Sequence, residues 1–406
     1  MKFLHTFSCC LISALLGFTL IRYLTCHPLS MSFYLLLICA AFFVLIILLY
    51  KCFKKRRVLL FTVILSVVFF ASSYLSSLYF FLNTSENRTL PEITRIKGTP
   101  GLGHTAIIVL AHGEPETYDP SAWINQIKEL DEQKVAFIPY PIRPIFFYKL
   151  REKYLMAGKS GHNFECLQVM KLMEADYRRK GDTHTKFYIS YLENEPYPDT
   201  AVTQALNEGA SSIILCNLFI TISNHTKEAI DMINDIHPED YNINIKYTKP
   251  LYDSKTLQAL YINKVSSSVS SVDKDKAGII LVGHGQPAEW DKEFYTETQQ
   301  ENSFREDILK QLEANGYKPQ NLKLAWMEFR DPEPKEAVKQ LLHNGVTNIF
   351  YFSTIIGSES IHAKYDVPEK IQQAQITDSV KLQQLSAFEE KTGIVKALIE
   401  RIDELQ

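Results

Sequence analysis

Three long apolar stretches crowd the first 82 residues, at Phe3–Leu24, Ser32–Tyr50 and Val58–Leu82. No other feature restricts the fold as much. The second, SFYLLLICAAFFVLIILLY, is 19 residues without a charge, and the third is longer and also uncharged. About 20 apolar residues wound as a helix cross the ~30 Å hydrocarbon core of a bilayer. Core helices of a globular domain are shorter and are not set in tandem. The first stretch holds the pair Cys9-Cys10 and ends near Arg22. It reads as a span or an uncleaved signal anchor, with a cleaved signal peptide as the alternative. Between the second and third stretches lies KCFKKRR, Lys51–Arg57, with five positive charges. The positive-inside rule places this loop in the cytoplasm, so the chain after Leu82 is expected on the non-cytoplasmic face, whether two spans are kept or three. Sequons at Asn83 and Asn87 suit such an exposed segment.

The net charge of −3 hides a division. Residues 1–90 hold eight Lys/Arg and one acid, which leaves 35 basic and 45 acidic residues beyond them. An acidic body of this kind lacks the basic footprint of a nucleic-acid binder. Five of the seven cysteines lie in the apolar part; Cys166 and Cys216 are the remaining two. That excludes a disulfide scaffold, and the absence of CxxC or CxxH pairs argues against structural zinc.

Residues 83–104 read as a Gly- and Pro-containing linker after an anchor at 1–82. Beyond it, apolar runs alternate with helical periodicity. Strands are expected at 106–113, 186–193 and 211–220, with a helix over 200–210. The same order returns at 278–285, 322–329, a helix over 335–346, and 347–356. Continuous apolar strands between helices indicate α/β architecture with parallel sheets. At an offset of 136, Pro196, Pro198, Ala201, Val202, Gly209 and Ile213 meet Pro332, Pro334, Ala337, Val338, Gly345 and Ile349. His112-Gly113 meets His284-Gly285 at an offset of 172. The chain therefore reads as two similar Rossmann-like domains, 105–250 and 251–406, with a central cleft. The first carries an insert placed at 139–161.

Two His-Gly pairs stand at strand carboxyl ends, where open α/β sheets bind ligands. A later strand in each half is followed by a second imidazole, His225 and His362. These four give two candidate pairs, His112/His225 and His284/His362, suited to transition metals or to proton transfer. Glu359 and Asp366 flank His362 and can orient its ring or carry protons. In the insert, Tyr140, Arg143, Phe146, Phe147 and Tyr148 offer apolar surface and one cation, suited to a flat ligand bearing carboxylates. A packed loop or a membrane-contacting lip is the competing reading. His162 and Tyr154 read as surface residues.

These motifs, in this order, resemble the class II tetrapyrrole chelatases, the ferrochelatase and cobaltochelatase superfamily. The resemblance spans about residues 105–375. HGEPETYDP (112–120) is similar to the ferrochelatase opening, PYPIRPIFFYKL to its porphyrin-contacting lip, and LVGHGQP to the segment of the catalytic His, which falls on His284. The family's catalytic Glu falls on His362. His-x-x-x-Asp-Val-Pro (362–368) instead resembles the small sirohydrochlorin cobaltochelatases, where two His hold the incoming metal. The resemblance implies a chelatase inserting Fe2+ or Co2+ into a tetrapyrrole, and the apolar stretches make the expected protein a membrane-anchored one. His284 and His362 would hold the metal, and His284, His362 and Glu359 would carry the chemistry. The metal is a substrate, and no permanently bound cofactor is implied. The alternatives are a non-catalytic tetrapyrrole- or metal-binding protein of the same fold, and a periplasmic-binding-type receptor. The receptor reading gives no reason for paired His-Gly strand ends.

Overall fold

A computed structural model describes residues 2–52, 56–84, 88–132, 135, 138–354 and 357–405. Lys54 and Lys55 of the basic loop and Asn87 of the second sequon lie outside the described residues. The chain divides into two compact units, residues 1–88 with 117–158, and residues 89–116 with 159–406.

The first unit contains the three apolar helices, α1 (Lys2–Thr25), α2 (Met31–Cys52) and α3 (Arg56–Leu82). Each is long and apolar enough to cross a membrane. Helices α1 and α3 run parallel. The Thr6 and Thr62 hydroxyls pair at 2.9 Å, and Ser73 Oγ donates to the Ala14 carbonyl at 2.7 Å. At Gly17 a Cβ would lie 2.5 Å from the Phe70 carbonyl oxygen, so glycine is what lets the two backbones touch.

Two further helices complete this unit, α4 (Pro120–Glu132) and α5 (Arg143–Ala157). Phe147 of α5 is fully buried among Ile21, Leu78, Leu82, Ile124 and Ile127, with its ring edge-on to Phe81 at 4.9 Å. The Tyr74 hydroxyl donates to the Pro141 carbonyl at 2.7 Å. Arg151 donates to the carbonyls of Tyr23 (2.6 Å) and Cys26 (3.0 Å), occupying acceptors that the end of α1 leaves open. The insert therefore starts earlier than the expected 139–161. It comprises Thr117–Gly158 and packs with the apolar helices.

The second unit holds both α/β repeats. The first runs β1 (His104–Ala111), α6 (His162–Arg179), β2 (Lys186–Tyr191), α7 (Pro198–Asn207), β3 (Ala210–Asn217), α8 (Asn224–Asn234) and β4 (Asn244–Tyr247). After α9 (Lys255–Val269) the second runs β5 (Ala277–Gly283), α10 (Asp291–Ala314), β6 (Leu322–Trp326), α11 (Pro334–His343), β7 (Asn348–Ser353), α12 (Val367–Gln372), β8 (Lys381–Leu385) and α13 (Lys391–Asp403). Each sheet is four-stranded and parallel, ordered β2-β1-β3-β4 and β6-β5-β7-β8. The two orders are the same, as a duplication requires.

The central strands β1 and β5 are buried on both faces, which explains their unbroken apolar runs. Helices α7 and α11 end just before Gly209 and Gly345, whose φ values of +88° and +75° stop them at matching points of the repeat. The short edge strands β4 and β8 carry polar residues such as Asn244, Lys246, Gln383 and Gln384, and so gave no apolar signal. The last helix, α13, packs against α6 and β3 of the first repeat. One apolar core thus joins Val109, Val169 and Cys216 to Ile279, Phe304 and Leu398.

Candidate functional site

The site grows from the carboxyl ends of β1 and β5. His112 and His284 each precede a glycine with positive φ, +73° at Gly113 and +85° at Gly285. The left-handed turn swings the glycine carbonyl back onto the preceding imidazole. His112 Nδ1 donates to Gly113 O at 2.7 Å, and His284 Nδ1 donates to Gly285 O at 2.6 Å. A carbonyl only accepts, so Nδ1 carries the hydrogen and Nε2 the lone pair. The glycine therefore sets the tautomer. A side chain is also excluded there, since a Cβ at Gly285 would lie 2.2 Å from Glu328 O.

His362 opens a single π turn (His362–Asp366) that leads into α12. Its Nδ1 donates to Asp366 Oδ2 at 2.7 Å, which again leaves the lone pair on Nε2. The Asp366 carboxylate is buried. The His284 and His362 ring centroids are 5.4 Å apart and nearly perpendicular. His225, in the first turn of α8, meets His112 in the same way at 4.5 Å. Both expected pairs are thus brought together.

Burial holds His284 below the usual imidazole range, and the neighbouring His362 adds to this. Burial, then the charge of His225, lowers His112 much further. Both rings are neutral at pH 7, the state a metal needs. His225 departs the other way. Burial pulls it down, but Glu228 (3.7 Å from its Nδ1), Glu297 and Glu193 more than offset this and raise it. Burial in turn pushes Glu297 up to about 7, with His225 opposing. Among the described residues no group of three His, Cys, Asp or Glu converges into a metal cage.

Several supporting residues escaped the sequence reading. Buried Glu114 accepts hydrogen bonds from Ser160 Oγ and from Ile361 N (2.9 Å). Buried Glu165 accepts from Ser358 Oγ and from Glu359 N (3.0 Å). His162 and Tyr154, expected at the surface, are both buried. Burial, then the charge of His362, lowers His162 to about 4. Behind His284, Glu301 Oε1 accepts from the His284 backbone N–H at 2.8 Å. Arg305 lies over the Trp326 ring at 3.9 Å and donates to Ala325 O at 2.6 Å. Glu301 and Arg305 share the buried face of α10 with Phe304, Ile308 and Leu312. A charged pair inside an apolar helical stripe was the available signal for these two.

The remaining candidates are placed differently. The Glu359 carboxylate is half-exposed and meets Lys364 at 3.4 Å; the carboxylate on His362 is that of Asp366. Phe147 is core of the first unit and offers no ligand surface. Phe146 packs on Trp123, and Tyr148 on Tyr23 and Arg151. Arg143 forms a two-pronged ion pair with Asp131 beneath the half-exposed Tyr140 ring.

The family model described as Ferrochelatase matches residues 104–405. No significant match was found among curated proteins. Among solved structures, SirB from Bacillus subtilis with Fe3+ aligns at 15% identity over 74% of this chain and 95% of its own, with TM-score 0.49. The cobalt complex of the sirohydrochlorin chelatase SirB from Bacillus subtilis subspecies spizizenii aligns at 14% identity over 74% and 94%, with TM-score 0.44. CbiX, described as the terminal enzyme for biosynthesis of siroheme in denitrifying bacteria, aligns at 11% over 73% and 98%, with TM-score 0.41.

Proposed function

The chain belongs to the ferrochelatase family, and from that premise we propose that it is a membrane-anchored chelatase inserting Fe2+ or Co2+ into a tetrapyrrole such as protoporphyrin or sirohydrochlorin. The observation that carries this reading is the His284/His362 pair, two imidazoles 5.4 Å apart with both lone pairs assigned to Nε2. Two neutral nitrogens hold a divalent ion without the full cage that would keep it. A cargo metal must be released, and a two-nitrogen hold suits that.

Insertion replaces two pyrrole N–H protons by one M2+, so two protons leave for each metal. As the metal passes to the macrocycle, the imidazole lone pairs are freed and can take those protons. The two rings differ in this. His362 becomes an imidazolium beside the Asp366 carboxylate, which stabilises it. Burial disfavours charge on His284. We assign His362 as the first proton acceptor and His284 as the more persistent metal ligand. Glu359 is assigned the onward proton path to solvent, which its half-exposed carboxylate suits. Tyr140 and Arg143 are the candidate macrocycle contacts in the insert. The three apolar helices would hold the protein in a bilayer, with the catalytic unit on the non-cytoplasmic face.

The test uses the full chain in nanodiscs, because α4 and α5 pack on the apolar helices. Anaerobic Fe2+ or Co2+ is offered with protoporphyrin or sirohydrochlorin, and insertion is followed by absorbance. His284→Ala is expected to lower the insertion rate by about 100-fold or more, the usual scale for a lost acid–base or ligand group. An unchanged rate would sink the assignment. Tight macrocycle binding without turnover would favour a non-catalytic binding protein, the reading suggested by His362 standing where the family's Glu is expected.

A further inference from the structure

We propose that two buried carboxylates of the first repeat, Glu114 and Glu165, are positioning residues that fix His362 of the second. The inference rests on the reading of His362 as a metal-holding residue. His362 sits at the start of a π turn, behind helical Ile361 and three residues, 358–360, that have no regular structure of their own. Of residues 358–361, three are tied to the two carboxylates. Ser358 Oγ and Glu359 N donate to the separate oxygens of Glu165, and Ile361 N donates to Glu114 Oε1. Ser160 Oγ also donates to Glu114 and accepts from His162 N at 3.1 Å, while Gly161 N donates to Glu359 O at 3.1 Å. The approach leaves no room for a side chain, since a Cβ at Gly161 would lie 2.9 Å from Glu359 Cβ.

Buried carboxylates are costly unless they are hydrogen-bonded. Here they are spent on the N–H groups directly upstream of one imidazole. At Glu114 a sequence reader sees only the opening HGEPE, whose histidine serves the first pair. The structure shows that the same motif reaches 247 residues along the chain to hold the second. His362 is thereby fixed from two sides, its ring by Asp366 and its backbone by Glu114 and Glu165.

The experiment uses the full chain in nanodiscs, in a His225→Ala background so that the other imidazole pair does not contribute. Co2+ alone is the probe, titrated optically. In parallel, carbethoxylation of His362 is measured by peptide mass spectrometry, with exposed His343 as the internal reference. Glu114→Ala and Glu165→Ala are each expected to weaken Co2+ binding by about 10-fold or more, the scale of lost outer-shell partners. Each should also change His362 reactivity several-fold while leaving His343 unchanged. Glu114→Gln and Glu165→Gln should recover most of both, because a carboxamide oxygen still accepts the N–H. Folded Ala variants with neither change would overturn the proposal. So would Gln variants as impaired as Ala, since charge and not hydrogen bonding would then be the operative property. Should the Ala variants fail to fold, Ser160→Ala and Ser358→Ala each remove one hydroxyl and should give smaller shifts of the same kind; no shift in either counts against the proposal. A parent chain that binds no Co2+ while His362 reactivity still responds would refute the metal reading and leave the positioning role standing.

Discussion

Gly285 carries more of the site than its size indicates. Its φ of +85° aims its own carbonyl at His284 Nδ1, and its missing Cβ admits Glu328 O. Gly285→Ala is expected to cost roughly 1–3 kcal/mol of stability from backbone strain alone. It should also weaken metal binding at His284, measurable as a raised metal KM beside a small fall in Tm. The low pKa values make a second prediction. His162 titrates at about 4 in the folded chain and His284 and His112 below the usual range, whereas the unfolded chain takes up those protons near ~6.5. Between these values the unfolded state binds more protons at these three histidines, so the stability they contribute falls as pH drops below ~6.5, while Glu297, raised to about 7, and the raised His225 act in the opposite direction. The contribution of buried His162 is on the order of 3 kcal/mol. Denaturant midpoints of the parent chain and of His162→Gln at pH 7.5, 6 and 4.5 isolate it; a difference between the two that does not change with pH would contradict the assignment. The same histidines show what a sequence conceals. Strand ends locate His112 and His284, because apolar runs ending in His-Gly are local. His162 is decided by Gly357, whose missing Cβ makes room for its ring from 195 residues away.

At the scale of elements, the strands that were legible are those with apolar or aromatic runs, the central ones and the edge strands β2 and β6 alike. β1, β3, β5 and β7 read as apolar runs and β2 and β6 were also expected; β4 and β8 are edge strands that are in addition short and polar, and so escaped. The insert was legible as an aromatic segment but not as a partner. Its sequence suits a ligand lip and equally a packed loop or a membrane-contacting lip, and only tertiary packing separates them. The close approach of α1 to α3 yields a direct prediction. Gly17→Leu would drive a side chain into the Phe70 and Tyr74 backbone and should separate the helices. The expected result is a loss of at least about 1–3 kcal/mol by overpacking, read as a lower unfolding temperature in detergent. Phe147→Ala should cost about 3–5 kcal/mol through the cavity it leaves beside Ile21 and Leu78.

At the scale of the whole molecule, the charge division gives an orientation that can be measured. A reporter fused after Gln406 should signal from the non-cytoplasmic side, and reversing the charges of Lys51, Arg56 and Arg57 should lower that signal. The duplication is equally testable. If both His pairs hold metal, the parent chain should bind two Co2+, and His284→Ala and His112→Ala should each remove one. The packing of Thr117–Gly158 on the apolar helices carries a consequence for how such a chain can arise and be handled. The apolar helices are not a detachable leash. Phe147, Ile124 and Ile127 of the insert share one core with Ile21, Leu78 and Leu82 of the apolar helices. A fragment starting near residue 90 would strand that apolar face in water and should elute as aggregate in size-exclusion chromatography. Each piece buries the other's apolar face, so the apolar helices and the insert would have to be gained, exchanged or lost as one heritable block.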